Sequence, residues 1–207
     1  MAWRTLRQSF YARPTLTVAE ALLGKVLVHR APEGTASGRI VEVEAYIGED
    51  DPACHAAPGP TARNEPLYGP PGVAYVYLNY GMHYLVNAVT EPAGSPAAVL
   101  LRALEPLEGL ELMRRRRALN GNAAPADTDL CRGPGNLTRA LGITLAQNRL
   151  PLYGSTLAIE DRGWTPKAIA WSTRIGLSVG VESEWRAYVV GSRAVSGARR
   201  RTTTIAE

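Results

Sequence analysis

The sequence predicts one globular domain of mixed strand and helix, and three observations carry that expectation. Residues 39–46 (Arg-Ile-Val-Glu-Val-Glu-Ala-Tyr) alternate apolar and polar side chains with the period of a β-strand. Residues 97–104 form an apolar run broken only by Arg102, the pattern of a central strand covered on both faces. Residues 105–117 open with Pro106 and acidic side chains and close on four arginines, the polarity that a helix macrodipole favours. At 207 residues, 45% hydrophobic and 20% charged, the chain is long enough for one real core, and no disordered class is needed.

Taken in order, the N-terminus lacks the apolar block of a secretory signal, and no apolar run is long enough to span a bilayer. A cytoplasmic protein without a membrane partner is expected, nucleoid-associated if it is bacterial. Thr17, with Glu20 three residues on, has capping-box spacing and predicts a short helix ending near Gly24. Residues 25–30 and 38–46 read as strands joined by the turn-rich Pro32-Glu-Gly-Thr. Residues 48–71 hold Pro52, Pro58, Pro60, Pro66, Pro70 and Pro71, which exclude regular structure and mark a long irregular loop. Residues 73–88 read as a hairpin turning at Asn79-Tyr80-Gly81-Met82. Cross-strand aromatic pairing accounts for Tyr75 and Tyr84. It accounts poorly for Tyr80, a ring at an exposed turn that is better placed to wedge into something. Arg102 needs carboxylate partners if buried, with Glu42 and Glu44 the natural candidates; the alternative is that it lies at a strand end and reaches solvent. Residues 120–129 read as a polar connection and 131–136 as a tight loop able to present backbone amides to an anion. Residues 137–141 read as a short helix, and 151–161 and 186–190 as further strands. The domain is expected to span residues 1–196, with residues 197–207, including Arg199-Arg-Arg201, a mobile basic tail.

Only Lys25 and Lys167 are lysines, so 21 of the 23 basic residues are arginine. A polyanionic partner explains that preference, and so does a GC-rich genome. Cys54 and Cys131 form no CxxC pair and there are three histidines, so neither a metal site nor a disulfide nor any cofactor is expected. Cys54, beside His55, reads as a loop-packing thiol. Glu42, Glu44 and Tyr46 share one strand face, which makes either a wet polar surface or the wall of a pocket. A non-catalytic nucleic-acid-binding module would explain the arginines and tyrosines. A small-molecule glycosidase using Glu42 and Glu44 as a pair is the other alternative, although neighbours two apart on one strand poorly flank a substrate.

The order of residues 38–46, His55, Arg63-Asn64, Tyr75-Val-Tyr-Leu-Asn-Tyr-Gly-Met, Asn87 and Leu100-Leu-Arg-Ala-Leu-Glu-Pro-Leu-Glu-Gly resembles the alkyladenine (3-methylpurine) DNA glycosylase family. The likeness continues through Leu130-Cys-Arg-Gly-Pro-Gly-Asn-Leu and Arg174-Ile-Gly to Glu184-Trp-Arg, nearly the whole chain. It implies an α+β fold: a single mixed domain on a curved antiparallel sheet, with flanking helices and a protruding β-hairpin that enters the DNA minor groove. It also implies a monomer whose partner is double-stranded DNA containing damaged purines. By position, Glu44 would be the general base, and Arg102 and a main-chain carbonyl near Ile175 would hold its water. Tyr46 and Tyr77 would sandwich an everted purine, His55 would be a hydrogen-bonding wall, and Asn87 would crowd out guanine. Tyr80 would fill the vacated stack, while Arg63, Asn64, Met82 and His83 would contact DNA; Met82 and His83 differ in detail from some relatives. The implied reaction is monofunctional. Alkylated or deaminated purines are flipped out and their N-glycosidic bond is hydrolysed by a Glu-activated water, as the first step of base excision repair.

Physical chemistry agrees. Extruding a base costs a few kcal/mol, less when it is damaged. A purine alkylated at N3 or N7 is cationic and stacks favourably between electron-rich rings. An ionised carboxylate can stabilise an oxocarbenium-like transition state and accept the water's proton, and an adjacent guanidinium favours its charged form. Both lysines lie outside the motif region, which disfavours a Schiff-base route.

Overall fold

Fourteen residues of extended chain, Gly34–Ile47, organise the molecule. The computed structural model describes residues 3–118 and 123–197. In chain order these form β1 (Arg4–Thr5), α1 (Gln8–Tyr11), α2 (Thr15–Leu22), β2 (Val26–Ala31), β3 (Gly34–Ile47), β4 (Ala74–Asn79) and β5 (His83–Val89). There follow β6 (Ala97–Glu108), α3 (Leu110–Arg117), α4 (Asp127–Leu130), α5 (Pro134–Leu141), β7 (Leu157–Asp161), β8 (Ile169–Ser172) and β9 (Arg186–Val189). All strand pairs are antiparallel, in the order β1-β7-β2-β3-β6-β5-β4. The long strand β3 shares one edge between two partners: its first half pairs with β2, and Glu42–Glu44 pair with β9, which in turn pairs with β8. The fold is therefore a single α+β domain on an open antiparallel sheet.

The alternation expected of β3 holds. Val41, Val43 and Ala45 join Val99, Leu101 and Ala103 of β6 in the main core, packed with Val18, Leu22, Met113, Leu137 and Leu141 from the helices. The opposite face of β6 presents Ala98, Leu100 and Arg102, all buried, which explains its apolar run. That face is covered by the proline-rich loop, whose Cys54, Ala56 and Leu67 cluster with Tyr75 and Ala98. The β3–β6 ladder is not regular. Ile40 faces Leu104, Glu42 faces Ala103 and Val43 faces Leu101, so Val41 is an extra residue on β3 and Arg102 an extra one on β6. Paired bulges of this kind cancel in register while re-aiming the side chains between them.

Several local expectations are corrected. The helix at residue 17 begins two residues earlier, and Thr17 and Glu20 form no capping box. Instead the amide and hydroxyl of Thr15 both donate to Glu91 Oε1, at 2.9 and 2.7 Å, so a distant carboxylate caps the helix. Residues 105–108 are strand rather than helix, with Pro106 opposite Gly38 and the helix delayed to Leu110. Pairing with β3 outweighs the local proline signal. Two of the four arginines that end α3 also serve ion pairs: Arg114 with Asp127 and Glu111, Arg116 with Glu33. The strand expected at residue 151 is regular only from Leu157, and the short β1 and β8 carried no readable pattern. The basic-tail residues 198–207 lie outside the described residues, as does part of the 120–129 connection. Among the described residues no helix is long and apolar enough to cross a membrane.

Gly109 makes the strand-to-helix corner possible. Its φ is 75°, and a Cβ there would sit 2.3 Å from the Thr35 carbonyl oxygen. Gly109→Ala is expected to lose about 2 kcal/mol or more of stability, read as a lowered denaturation midpoint. A wild-type midpoint would show that the corner relaxes freely.

Candidate active site

Period two along β3 delivers Glu42, Glu44 and Tyr46 to one side, and the bulge at Arg102 sends its guanidinium onto both carboxylates. Glu44 is fully buried, at 0% exposure, yet its carboxylate accepts three hydrogen bonds. Oε2 accepts from Arg102 Nη1 at 3.0 Å and from the Tyr46 hydroxyl at 2.9 Å. Oε1 accepts from the Ile175 backbone N–H at 2.7 Å. Glu42 is equally buried, and its Oε1 accepts from Arg102 Nε, Arg186 Nε and the Ser196 hydroxyl, at 3.0, 2.7 and 2.8 Å. Its Oε2 accepts from the Ser196 amide at 2.5 Å. Two guanidiniums thus balance two carboxylates, the condition under which buried charge is tolerated. The alternative of a solvent-facing Arg102 is excluded.

The titration of these groups follows from their surroundings. Burial pushes the Glu42 carboxyl up, but Arg102, the Ser196 amide and Arg186 outweigh it and hold it below the usual carboxylate range. Burial acts against the charge on Arg102, and Glu44 and Glu42 more than restore it. Burial and then the Glu44 charge push the Tyr46 phenol far up, so it stays a donor.

Tyr46, Arg102 and Ile175 also line a cleft of about 380 Å³, so the Glu44 carboxylate lies directly behind its wall. The volume falls in the range of small-molecule sites. The same cleft is lined by His55 from the proline-rich loop, Tyr77 from β4, Asn87 from β5 and Tyr80 from the hairpin tip. His55 Nδ1 bonds the Tyr75 hydroxyl at 2.9 Å, and its ring stands edge-on to Tyr77 with centroids 4.4 Å apart. Asn87 is held by donation from Nδ2 to the Tyr75 carbonyl, 3.0 Å. Arg63 lies over the Tyr77 ring at 5.5 Å. Asn64 is buried away from the cleft, its amide donating to the carbonyls of His55 and Gly59, so its place is in bracing the loop that carries His55. Tyr80, Met82 and His83 are exposed around the three-residue turn, with Tyr80 84% accessible and in the left-handed region at φ 49°.

A second, larger cavity is bordered by Trp171, Ser172, Ile175, Arg186 and Ser196. Arg102 lines the first cavity and Arg186 the second, and both donate to Glu42. Among the described residues no cluster of three or more His, Cys, Asp or Glu could hold a metal ion. Burial pushes the Cys54 thiol up to about 11 and Cys131 up to about 12, which leaves both protonated and inert.

Comparison with known proteins decides the family. The model of the methylpurine-DNA glycosylase family matches residues 9–193. The chain belongs to that family. A protein of Chlorobium phaeobacteroides is 51% identical over 194 residues, covering 93% of this chain and 95% of its own. One of Rubrobacter xylanophilus is 54% identical over 181 residues, 86% and 90%. One of Rhodopseudomonas palustris is 48% identical over 191 residues, 92% and 87%. All three carry the name "putative 3-methyladenine DNA glycosylase". This protein is therefore a DNA glycosylase, a hydrolase of N-glycosyl bonds with DNA as substrate, and the small-molecule glycosidase and the non-catalytic module are set aside.

Four residues that build the candidate site carried no role legible in the sequence: Asp51, Arg174, Arg186 and Ser196. Arg174 forms a two-pronged, fully buried pair with Asp51 at 2.6 and 2.8 Å and donates to the Ala45 carbonyl. Its guanidinium also lies 4.7 Å from the Tyr46 ring centre, so it fixes that ring while anchoring the neighbouring Ile175. The available signals were the Arg174-Ile-Gly and Glu184-Trp-Arg likenesses, which carry no role by themselves.

Burial first, and Arg63 second, hold the His55 imidazole below its ordinary 6.5, so the ring is neutral at neutral pH. As pH falls through that value the unfolded chain takes up a proton that the folded ring refuses, and stability drops until the lower folded value is passed. His55→Gln is expected to flatten the decline of the melting temperature between about pH 7 and about pH 5.5. An unchanged slope in thermal melts would place the acid sensitivity elsewhere.

Proposed function

We propose that the glycosylase turns a damaged purine out of the duplex into the 380 Å³ cleft and releases it with water activated by Glu44. The observation that carries this reading is the Glu44 carboxylate. Donors from three separate elements fix it behind the cleft wall, and Oε1 accepts a single bond, which leaves a lone pair free for a water hydrogen. In this scheme the water oxygen bonds the anomeric carbon as the N-glycosidic bond breaks, its electrons leaving with the purine. The water's proton passes to Glu44. An N3- or N7-alkylated purine starts cationic and departs neutral. Arg102 Nη1 holds the base in position throughout by its 3.0 Å bond to Oε2.

Tyr46 and Tyr77 flank the bound purine and favour its positive charge. His55 and Asn87 offer polar edges that select among bases, and the exposed Tyr80 fills the gap in the stack from the hairpin. Arg63, Met82 and His83 meet DNA around that insertion. 3-Methyladenine, named in the relatives, is the leading substrate, and deaminated purines such as hypoxanthine meet the same aromatic walls and depart as the purine anion, carrying the bond electrons. The test is single-turnover base release from duplexes bearing one defined lesion each. Release of a methylated purine leaving an uncleaved abasic strand supports the reading; failure on every methylated purine, or direct strand cleavage, would sink it.

A further inference from the structure

We infer that Ser196 and Glu42 are positioning residues of the glycosylase reaction, holding the Arg102 guanidinium in place on Glu44. Neither lines the cleft beside the tyrosines, and Ser196 lies beyond the 9–193 span of the family match. Yet all three guanidinium nitrogens of Arg102 are spoken for. Nη1 goes to Glu44, Nε to Glu42 and Nη2 to the Ser196 hydroxyl, at 3.0, 3.0 and 3.2 Å. The guanidinium is rigid and planar, so the two contacts behind it fix the direction of the one that meets the base.

Ser196 is the hinge pin of that arrangement. Its hydroxyl accepts from Arg102 and donates to Glu42 Oε1, its amide donates to Glu42 Oε2, and its carbonyl accepts from Arg186 Nη2 at 3.1 Å. Four polar contacts on one serine draw the segment after β9 against a strand more than 150 positions earlier in the chain. Arg186 shares Glu42 with Arg102 and is itself steadied by the Ser172 hydroxyl at 2.9 Å. Without the Ser196 hydroxyl, Arg102 keeps its charge but loses a restraint on its angle. The consequence falls on the chemical step rather than on DNA binding, because neither Ser196 nor Glu42 lines the cleft.

The inference rests on Glu44 as the base. Full-length wild type, Ser196→Ala, Ser196→Thr, Glu42→Gln and Glu44→Gln are compared on a duplex containing one 7-methylguanine. The saturated single-turnover rate and the half-saturating enzyme concentration are read separately. Ser196→Ala is expected to slow release about tenfold with half-saturation unchanged, and Ser196→Thr, which keeps the hydroxyl, to return within about twofold of wild type. Glu42→Gln is expected to slow it about a hundredfold. Equal slowing by Ala and Thr, or weaker binding at an unchanged saturated rate, overturns the inference. If Glu44→Gln is inactive while Ser196→Ala and Glu42→Gln match wild type, the inference falls and the base assignment stands. If Glu44→Gln releases base at the wild-type rate, the base assignment falls with it.

Discussion

Glu44→Gln is expected to slow base release about a thousandfold while leaving lesion-duplex binding within a few-fold of wild type. The amide cannot accept the proton of the attacking water. Its geometry is also compromised, since the carboxylate receives donors on both oxygens: Ile175 N–H on one, Arg102 and Tyr46 on the other. An amide NH₂ must face one of these sets, donor against donor, at a cost of about 1–3 kcal/mol in stability. Binding survives because Tyr77, His55, Asn87 and Tyr80 line the cleft independently of the carboxylate. Single-turnover kinetics beside a binding titration separates the two. Release near the wild-type rate would strip Glu44 of its role.

Arg102→Met is expected to cause the largest loss of stability, about 3–5 kcal/mol, because it leaves the fully buried Glu42 and Glu44 short of their shared cation. Methionine fills much of the space but supplies no donor. Arg186 still serves Glu42, so the uncompensated charge concentrates on Glu44. Burial raises the Glu42 carboxyl, but Arg102 foremost among its neighbours holds it below the usual carboxylate range, so this contribution of Arg102 is lost, and the deficit relative to wild type shrinks, as pH falls through that range. Chemical denaturation at several pH values checks this. A deficit that stays constant across that range would mean the loss comes from packing and not from stranded charge.

The residues that were legible in the sequence are those whose surroundings are local. The alternation of residues 41–46 survives folding, so the division between Val43 and Ala45 on one side and Glu44 and Tyr46 on the other was readable. The pairing of Arg102 with Glu42 and Glu44 was readable as well, because a cation within an apolar run has few ways to avoid a large desolvation cost. The turn at Tyr80 followed from its glycine neighbour. What escaped depended on distant chain. Thr15 is capped by Glu91, 76 residues away, and Pro106 extends a strand because Gly38 lies opposite. Arg174 meets Asp51 across 123 residues and Ser196 meets Glu42 across 154. No spacing rule encodes such encounters. The two offsetting bulges were equally invisible, since neither Val41 nor Arg102 is a residue type that announces one.

Hydrocarbon and acid are interleaved along a single β-strand, residue by residue. Side chains alternate with a period of two, so a slip of one position would turn Glu42 and Glu44 into the oil and push Val43 and Ala45 out toward the tyrosines. Such a misaligned chain would bury two carboxylates away from their guanidiniums, at a large cost. Assembly of the molecule therefore proofreads its own chemistry: any copy that succeeds in folding has, by the same act, set its acid behind the cleft.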